Sequence, residues 1–188
     1  SSRREFITSQ IEHPSVIKAF RYLEALGAKV HFVPVSREGE LDLEFYQSVL
    51  SEETALVSIM HANNETGTIL PVRELANMAH AKGALFHSDC VQALGKLPVN
   101  LQDLGVDFAT FSAHKFYALK GTGFLYIRRN TPFEPLVHGG GQERHRRGGT
   151  ENTLGIFALG VQARKLGLVA DQMKRVQLLR DQFESRVL

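Results

Sequence analysis

The sequence predicts an α/β fold, a mostly parallel sheet with helices on both faces, on two observations. Apolar runs of strand length alternate several times with amphipathic stretches of helix length, the signature of strand, helix, strand units. Cap and breaker residues fall at the joints, with proline at helix starts and glycine at helix ends.

Taken in order, Phe6 to Ser9 reads as the first strand, and a helix starts at Pro14, where a missing amide proton costs nothing, and stops at Gly27. Lys29 to Val35 is the next strand. Asp42 caps a helix over Leu43 to Leu50, Ala55 to Met60 is a buried strand, and Pro71 opens a helix that Gly83 ends. Ala84 to His87 returns to the sheet, Asn100 caps a short helical turn through Leu104, and Asp107 to Phe111 and Gly123 to Arg128 are two further strands. From Thr153 onward the pattern predicts one long helix. No internal repeat, low-complexity tract or linker divides the chain, so one domain is expected, with the terminal helix leading towards another. Both ends read as cut within patterned segments, as in a piece of something longer.

Composition narrows the class of protein without naming it. With 188 residues, 43% hydrophobic and 22% charged, the chain has the makings of an ordinary globular core. Net charge is +2, and the local excess sits in Arg144, His145, Arg146 and Arg147, which calls for no nucleic-acid partner. No apolar run approaches the roughly 20 residues of a membrane helix, and no signal-peptide core follows Ser1 to Glu5. A single cysteine, Cys90, rules out an internal disulfide, so a reducing, cytoplasmic setting is the expectation. Eight histidines raise the question of a metal, but there is no HExxH pattern and His80 and His87 lie on different elements; no metal site is expected.

Polar residues cluster just past the predicted strand ends: His13 after the first, Asn63 and Asn64 after Met60, Asp89 after His87, and Ser112, His114 and Lys115 around the end of the fifth. In an open α/β sheet these ends share one edge, where ligands bind. A lysine arriving there from a buried strand is partly desolvated, which favours the neutral amine needed for a Schiff base. Asp89 then supplies a carboxylate for a ring nitrogen. The same two residues also read as a plain ion pair, and structural ion pairs outnumber cofactor sites.

The segment Ser112-Ala-His-Lys-Phe-Tyr, preceded by His87-Ser-Asp-Cys-Val-Gln and Met60-His-Ala-Asn-Asn-Glu-Thr-Gly, resembles the cysteine desulfurases that supply sulfur for iron–sulfur assembly. The runs His138-Gly-Gly-Gly-Gln-Glu-Arg and Arg147-Gly-Gly-Thr-Glu-Asn are similar to theirs as well. The likeness extends over nearly the whole chain in the same order. It implies the aspartate aminotransferase-like large domain of pyridoxal-phosphate-dependent transferases, truncated at both ends. Residues 1–152 are then part of that domain, and 153–188 a helix leading towards a small C-terminal domain not in this chain.

Carried over by position, the resemblance implies that Lys115 binds pyridoxal 5'-phosphate and later moves the substrate α-proton, while His13 stacks on the ring and assists. Asp89 pairs with the ring nitrogen, and Asn64 and Gln92 lie near its phenolic oxygen. Ser112 and His114 hold the phosphate, and Thr150 reaches the phosphate of the neighbouring subunit, which implies a homodimer. The implied reaction takes sulfur from L-cysteine and delivers it to a thiolate, then to an acceptor or scaffold protein of iron–sulfur assembly. In such enzymes the nucleophilic cysteine and the arginine for the substrate carboxylate lie downstream, and a phosphate-binding turn lies upstream, so this chain alone is expected to be inactive.

Other readings compete. Cys90 beside Asp89 reads as a buried structural thiol and not the sulfur acceptor, because reactive thiols sit in accessible, electropositive places. The Gly139 to Gly149 stretch reads as a subunit-interface loop in preference to an RNA or anion site. Ala118 and Leu119 depart from the Gly-Pro common after the family's lysine, and Lys120 is a solvated rival to Lys115. A selenocysteine lyase, another class V aminotransferase and a cofactor-free scaffold are the alternatives at the level of function.

Overall fold

The computed structural model describes residues 3–188, apart from the side chain of Ala170. Ser1 and Ser2, on which the expectation about a signal peptide partly falls, lie outside the described residues. The chain runs β1 (Glu5–Ser9), α1 (Pro14–Ala25), β2 (Lys29–Val33), α2 (Leu43–Val49), β3 (Thr54–Ser58), α3 (Val72–Ala81) and β4 (Leu85–Asp89). It continues through α4 (Leu101–Leu104), β5 (Phe108–Ser112), a 3₁₀ turn (Ala113–Phe116), β6 (Gly123–Ile127) and the single turn α5 (Gln142–His145). α6 (Thr153–Ala163), a second 3₁₀ turn (Leu166–Leu168) and α7 (Val169–Val187) complete it.

The six strands form one sheet in the order β2-β1-β3-β4-β5-β6. β1 to β5 pair in parallel and β6 is antiparallel to β5. The segment between Ser112 and Gly123 holds only a 3₁₀ turn and a loop, too short for a helical crossover, so the chain must reverse there. The mostly parallel sheet with helices on both faces is therefore present, and its switch point lies between β1 and β3, where the winding changes direction.

Register decides which residues share a face. Ile7 pairs with Val57 and Val57 with Phe86, and these fully buried side chains join Tyr46 of α2 and Leu75, Ala76 and Ala79 of α3 in one core. Tyr46 closes that layer by donating its hydroxyl to the Leu75 carbonyl at 2.9 Å. On the other face Phe6 meets Phe20 of α1 edge-on, with ring centroids 6.3 Å apart. This second face also carries His87 and Asp89, by strand alternation.

The caps explain the boundaries. Asp42 accepts from Phe45 N at 2.8 Å, Asn100 from Gln102 N at 3.1 Å and Asn152 from Gly155 N at 3.0 Å, each satisfying an orphan amide of a first helical turn. β2 stops at Val33, two residues short of the expected Val35, because Pro34 has no amide to give the ladder. The helix expected to run unbroken from Thr153 is instead three pieces, with the break at the 3₁₀ turn around Gly167. Among the described residues no single helix is long and apolar enough to cross a membrane.

Candidate functional site

The site is built where β1, β3, β4 and β5 end. β1 runs out through Glu12 into His13, which caps α1: Ser15 N lies 3.2 Å and Ser15 Oγ 2.8 Å from His13 Nδ1. With Nδ1 accepting from its own helix, Nε2 is the nitrogen left to the exposed rim. β3 runs out through Ile59 and Met60 into a turn organised by buried Asn63. Its Nδ2 donates to Ile11 O at 2.8 Å, and its Oδ1 accepts from Glu65 N and Thr66 N, both at 2.8 Å. Of the adjacent pair, Asn63 thus shapes the loop and Asn64 is the exposed one.

Asp89 is the last residue of β4, which runs two residues past the strand end expected at His87, and it is only 6% exposed. Its Oδ1 accepts from Val91 N at 2.9 Å, and its carbonyl accepts from His61 N at 2.9 Å. Burial pushes the Asp89 carboxyl up, while the Val91 amide and the nearby charge of His13 pull it back down. That coupling brings two of the predicted site residues, from different strand ends, into one electrostatic neighbourhood.

β5 delivers Ser112 and, on the 3₁₀ turn, His114 and Lys115. Ser112 Oγ lies 2.9 Å from His114 Nδ1, so these two form a local pair. Lys115 is exposed, contrary to the expectation of a desolvated amine. The buried members of that turn are its neighbours Ala113 and Phe116. Gln92, half-buried after β4, accepts from Lys96 Nζ at 3.0 Å. Among the described residues Asn64 and Thr150 make no hydrogen bond to another member of the predicted set.

Two residues escaped the motif reading. Glu12 is 5% exposed; its Oε1 accepts from Ser9 Oγ at 2.6 Å and from Met60 N at 2.8 Å, clasping β1 to the β3 exit at the switch point. Among the described residues its Oε2 has no hydrogen-bond partner, and burial, reinforced by nearby Asp89, raises the carboxyl to about 7. Lys96 is held on Gln92 and also feels Lys115. The only sequence signal for either was position: Glu12 abuts His13, and Lys96 follows Gln92 at helical spacing.

The remaining side chains fall into structural roles. Cys90 is buried and its thiol is pushed up to about 12, chiefly by burial, so it is the inert thiol expected. His87 spans the sheet, with Nδ1 2.7 Å from Ser58 Oγ and Nε2 3.2 Å from Thr110 Oγ1, and burial pushes it down to about 4. His80 pairs with Asp107 at 2.8 Å at the opposite edge. Among the described residues no group of His, Cys, Asp and Glu is arranged to hold a metal ion.

A doubly wound α/β sheet with polar side chains gathered at the C-terminal ends of its strands is the arrangement at which such sheets bind ligands. The chain belongs to the aminotransferase class-V family, which matches residues 1–187. It is similar to a cysteine desulfurase of Sinorhizobium fredii, 50% identical over 191 residues, 99% of this chain and 49% of that protein. It is 46% identical to the cysteine desulfurase NifS of Azotobacter vinelandii, over 99% of this chain and 46% of that protein. Among solved structures, a NifS-like protein superposes with a TM-score of 0.88 at 44% identity, covering 97% of this chain and 51% of that one. SspA in complex with cysteine superposes with a TM-score of 0.82 at 36% identity, covering 87% and 48%. The chain spans about half the length of the curated relatives it matches.

Proposed function

We propose that this chain is the central part of the cofactor domain of a cysteine desulfurase, which takes sulfur from L-cysteine and leaves L-alanine. One observation carries the reading: Lys115, Asp89, His13 and Gln92 come to a single sheet edge in a chain 50% identical to a cysteine desulfurase. The residues present fit pyridoxal phosphate. Asp89 is buried, yet among the described residues only its Oδ1 has a donor, so Oδ2 is available to a protonated ring nitrogen.

Pyridoxal phosphate, when bound, supplies an electron sink for the negative charge that develops at the substrate α-carbon. Lys115 is the amine that would hold it and afterwards carry the α-proton. Asp89 would keep the ring nitrogen protonated, and His13, whose Nε2 has no hydrogen-bond partner among the described residues, would assist proton transfer. Ser112 and His114, already paired, would hold the phosphate, while Gln92 would donate to the ring oxygen. Asn64 and Thr150 enter this reading through the family likeness alone. The exposed loop from Gly139 to Thr150 suits a homodimer in which Thr150 reaches the partner's phosphate.

The net reaction breaks the C–S bond of L-cysteine, forms an S–S bond on a protein thiol as a persulfide, and returns a proton to carbon as L-alanine. Cys90, buried and with its thiol raised, is not that thiol. Transfer of the persulfide sulfur to an acceptor of iron–sulfur assembly, in the cytoplasm, completes the proposal.

The test is the full-length protein and its Lys115→Ala variant, followed by visible absorbance of the lysine-bound cofactor and by sulfide released from L-cysteine. Both are expected in the parent and lost in the variant. A parent supplied with cofactor that shows no visible band overturns the enzymatic reading in favour of a scaffold; a band without sulfide points to another substrate.

A further inference from the structure

The turn that leaves β4 holds a cation with an unusual set of partners. Lys96 Nζ donates to Gln92 Oε1 at 3.0 Å and to Gln92 O at 3.3 Å, so both its hydrogen bonds end on one residue four positions back. Among the described residues it has no carboxylate within ion-pair distance. Burial and the neighbouring charge of Lys115 both disfavour its positive form. The segment is braced: Ala93 N and Leu94 N both donate to Cys90 O at 3.1 Å, Lys96 N donates to Ala93 O at 3.0 Å, and Gly95 lies against Phe116 of the turn that carries Lys115.

An ammonium has three donors and no acceptor, so it can face only the oxygen end of an amide. Lys96 therefore decides which way Gln92 is flipped. With Oε1 engaged, the Nε2 amide hydrogens are the end of Gln92 left for an acceptor in the crevice. We propose that Lys96 is a positioning residue that locks the Gln92 amide with its donors towards the crevice, so that Gln92 presents N–H to the ring oxygen of the cofactor. This rests on the reading of the site given above. Lys96 acts through Gln92 and touches no reacting atom.

The test uses the full-length protein with four variants: Lys96→Met, Lys96→Arg, Gln92→Ala and the Lys96→Met/Gln92→Ala double variant. The readouts are the position of the visible cofactor band and the cofactor dissociation constant, with melting of the cofactor-free proteins as the control for folding. Lys96→Met is expected to shift the band and weaken cofactor binding about 10-fold, the scale of one lost hydrogen bond to a charged acceptor. Lys96→Arg, which keeps a cation facing Oε1, restores both. In the Gln92→Ala background the Lys96 substitution adds nothing further. A Lys96→Met protein with the parental band and affinity, or an effect of equal size in the Gln92→Ala background, overturns the inference while leaving the function intact. A parent without a cofactor band overturns the functional reading and this inference with it.

Discussion

Glu12 makes the sharpest prediction at the scale of single residues. Its carboxyl holds a proton up to about pH 7 in the folded protein, against an ordinary glutamate value of 4.5. Between those two values the folded state binds more protons than the unfolded one, so stability falls as pH rises through that window and levels off above it. The shift corresponds to about 3 kcal/mol. Glu12→Gln keeps an oxygen for Ser9 Oγ and Met60 N but removes the titration. In the cofactor-free protein, urea unfolding at a series of pH values should show the variant gaining on the parent by about that amount between pH 4.5 and pH 8. A difference that does not change with pH would mean that Glu12 is not the buried acid described. The strand-end positions of Asp89 and Lys115 were legible in the sequence, because polar residues that follow an apolar run mark a strand end, whereas their reading as cofactor residues came from the family resemblance. Glu12 and Lys96 were not, because their meaning depends on Met60 from another strand and on a turn geometry that composition does not encode. Asn64 was marked by its place after an apolar run and Thr150 by family resemblance alone, and among the described residues neither makes a hydrogen bond to another member of the predicted set.

At the scale of elements, periodicity located every strand to within a residue or two, and the errors trace to hydrogen bonding at the ends. Ile59 and Met60 read as strand because they are apolar, but Ile59 N already bonds to His87 O as the chain leaves the ladder, and Met60 N turns to Glu12. The break between α6 and α7 was hidden because no proline marks it. The 3₁₀ turn that carries Lys115 is the element on which the proposed function depends, and Gly95 lies against it. That glycine has φ +81°, and a Cβ there would lie 2.8 Å from Phe116 Cβ. Gly95→Ala therefore combines a left-handed backbone penalty of about 1–2 kcal/mol with a push on the lysine turn. A lower melting temperature together with weaker cofactor binding is expected. Gly27→Ala is the control, since Gly27 has φ +88° with no atom within 4 Å of the added Cβ. It should lose stability and keep cofactor affinity. Equal effects on cofactor affinity in the two variants would remove Phe116 from the account.

The whole molecule sets a further consequence, because α7 is only loosely part of the core described. Val176, Leu179, Phe183 and Val187 recur at spacings of three and four residues along it, and they are 53%, 56%, 67% and 65% exposed. A continuous apolar stripe of that kind is uncommon on the surface of a soluble monomer. The relatives matched carry about as much sequence again outside the region shared with this chain. Sequence patterning revealed the helix, but not that its apolar face is left bare, since periodicity predicts a buried face without naming what buries it. The 188-residue chain on its own should therefore bind an apolar fluorescent dye strongly and sediment as a mixture of self-associated species. Leu179→Glu with Phe183→Glu places two charges in the middle of the stripe. It should cut dye binding several-fold and shift sedimentation towards the monomer while leaving the circular dichroism of the α/β core in place. If α7 instead folds back onto the sheet in solution, the parent chain will bind little dye and the double variant will unfold, because the charges would then be buried.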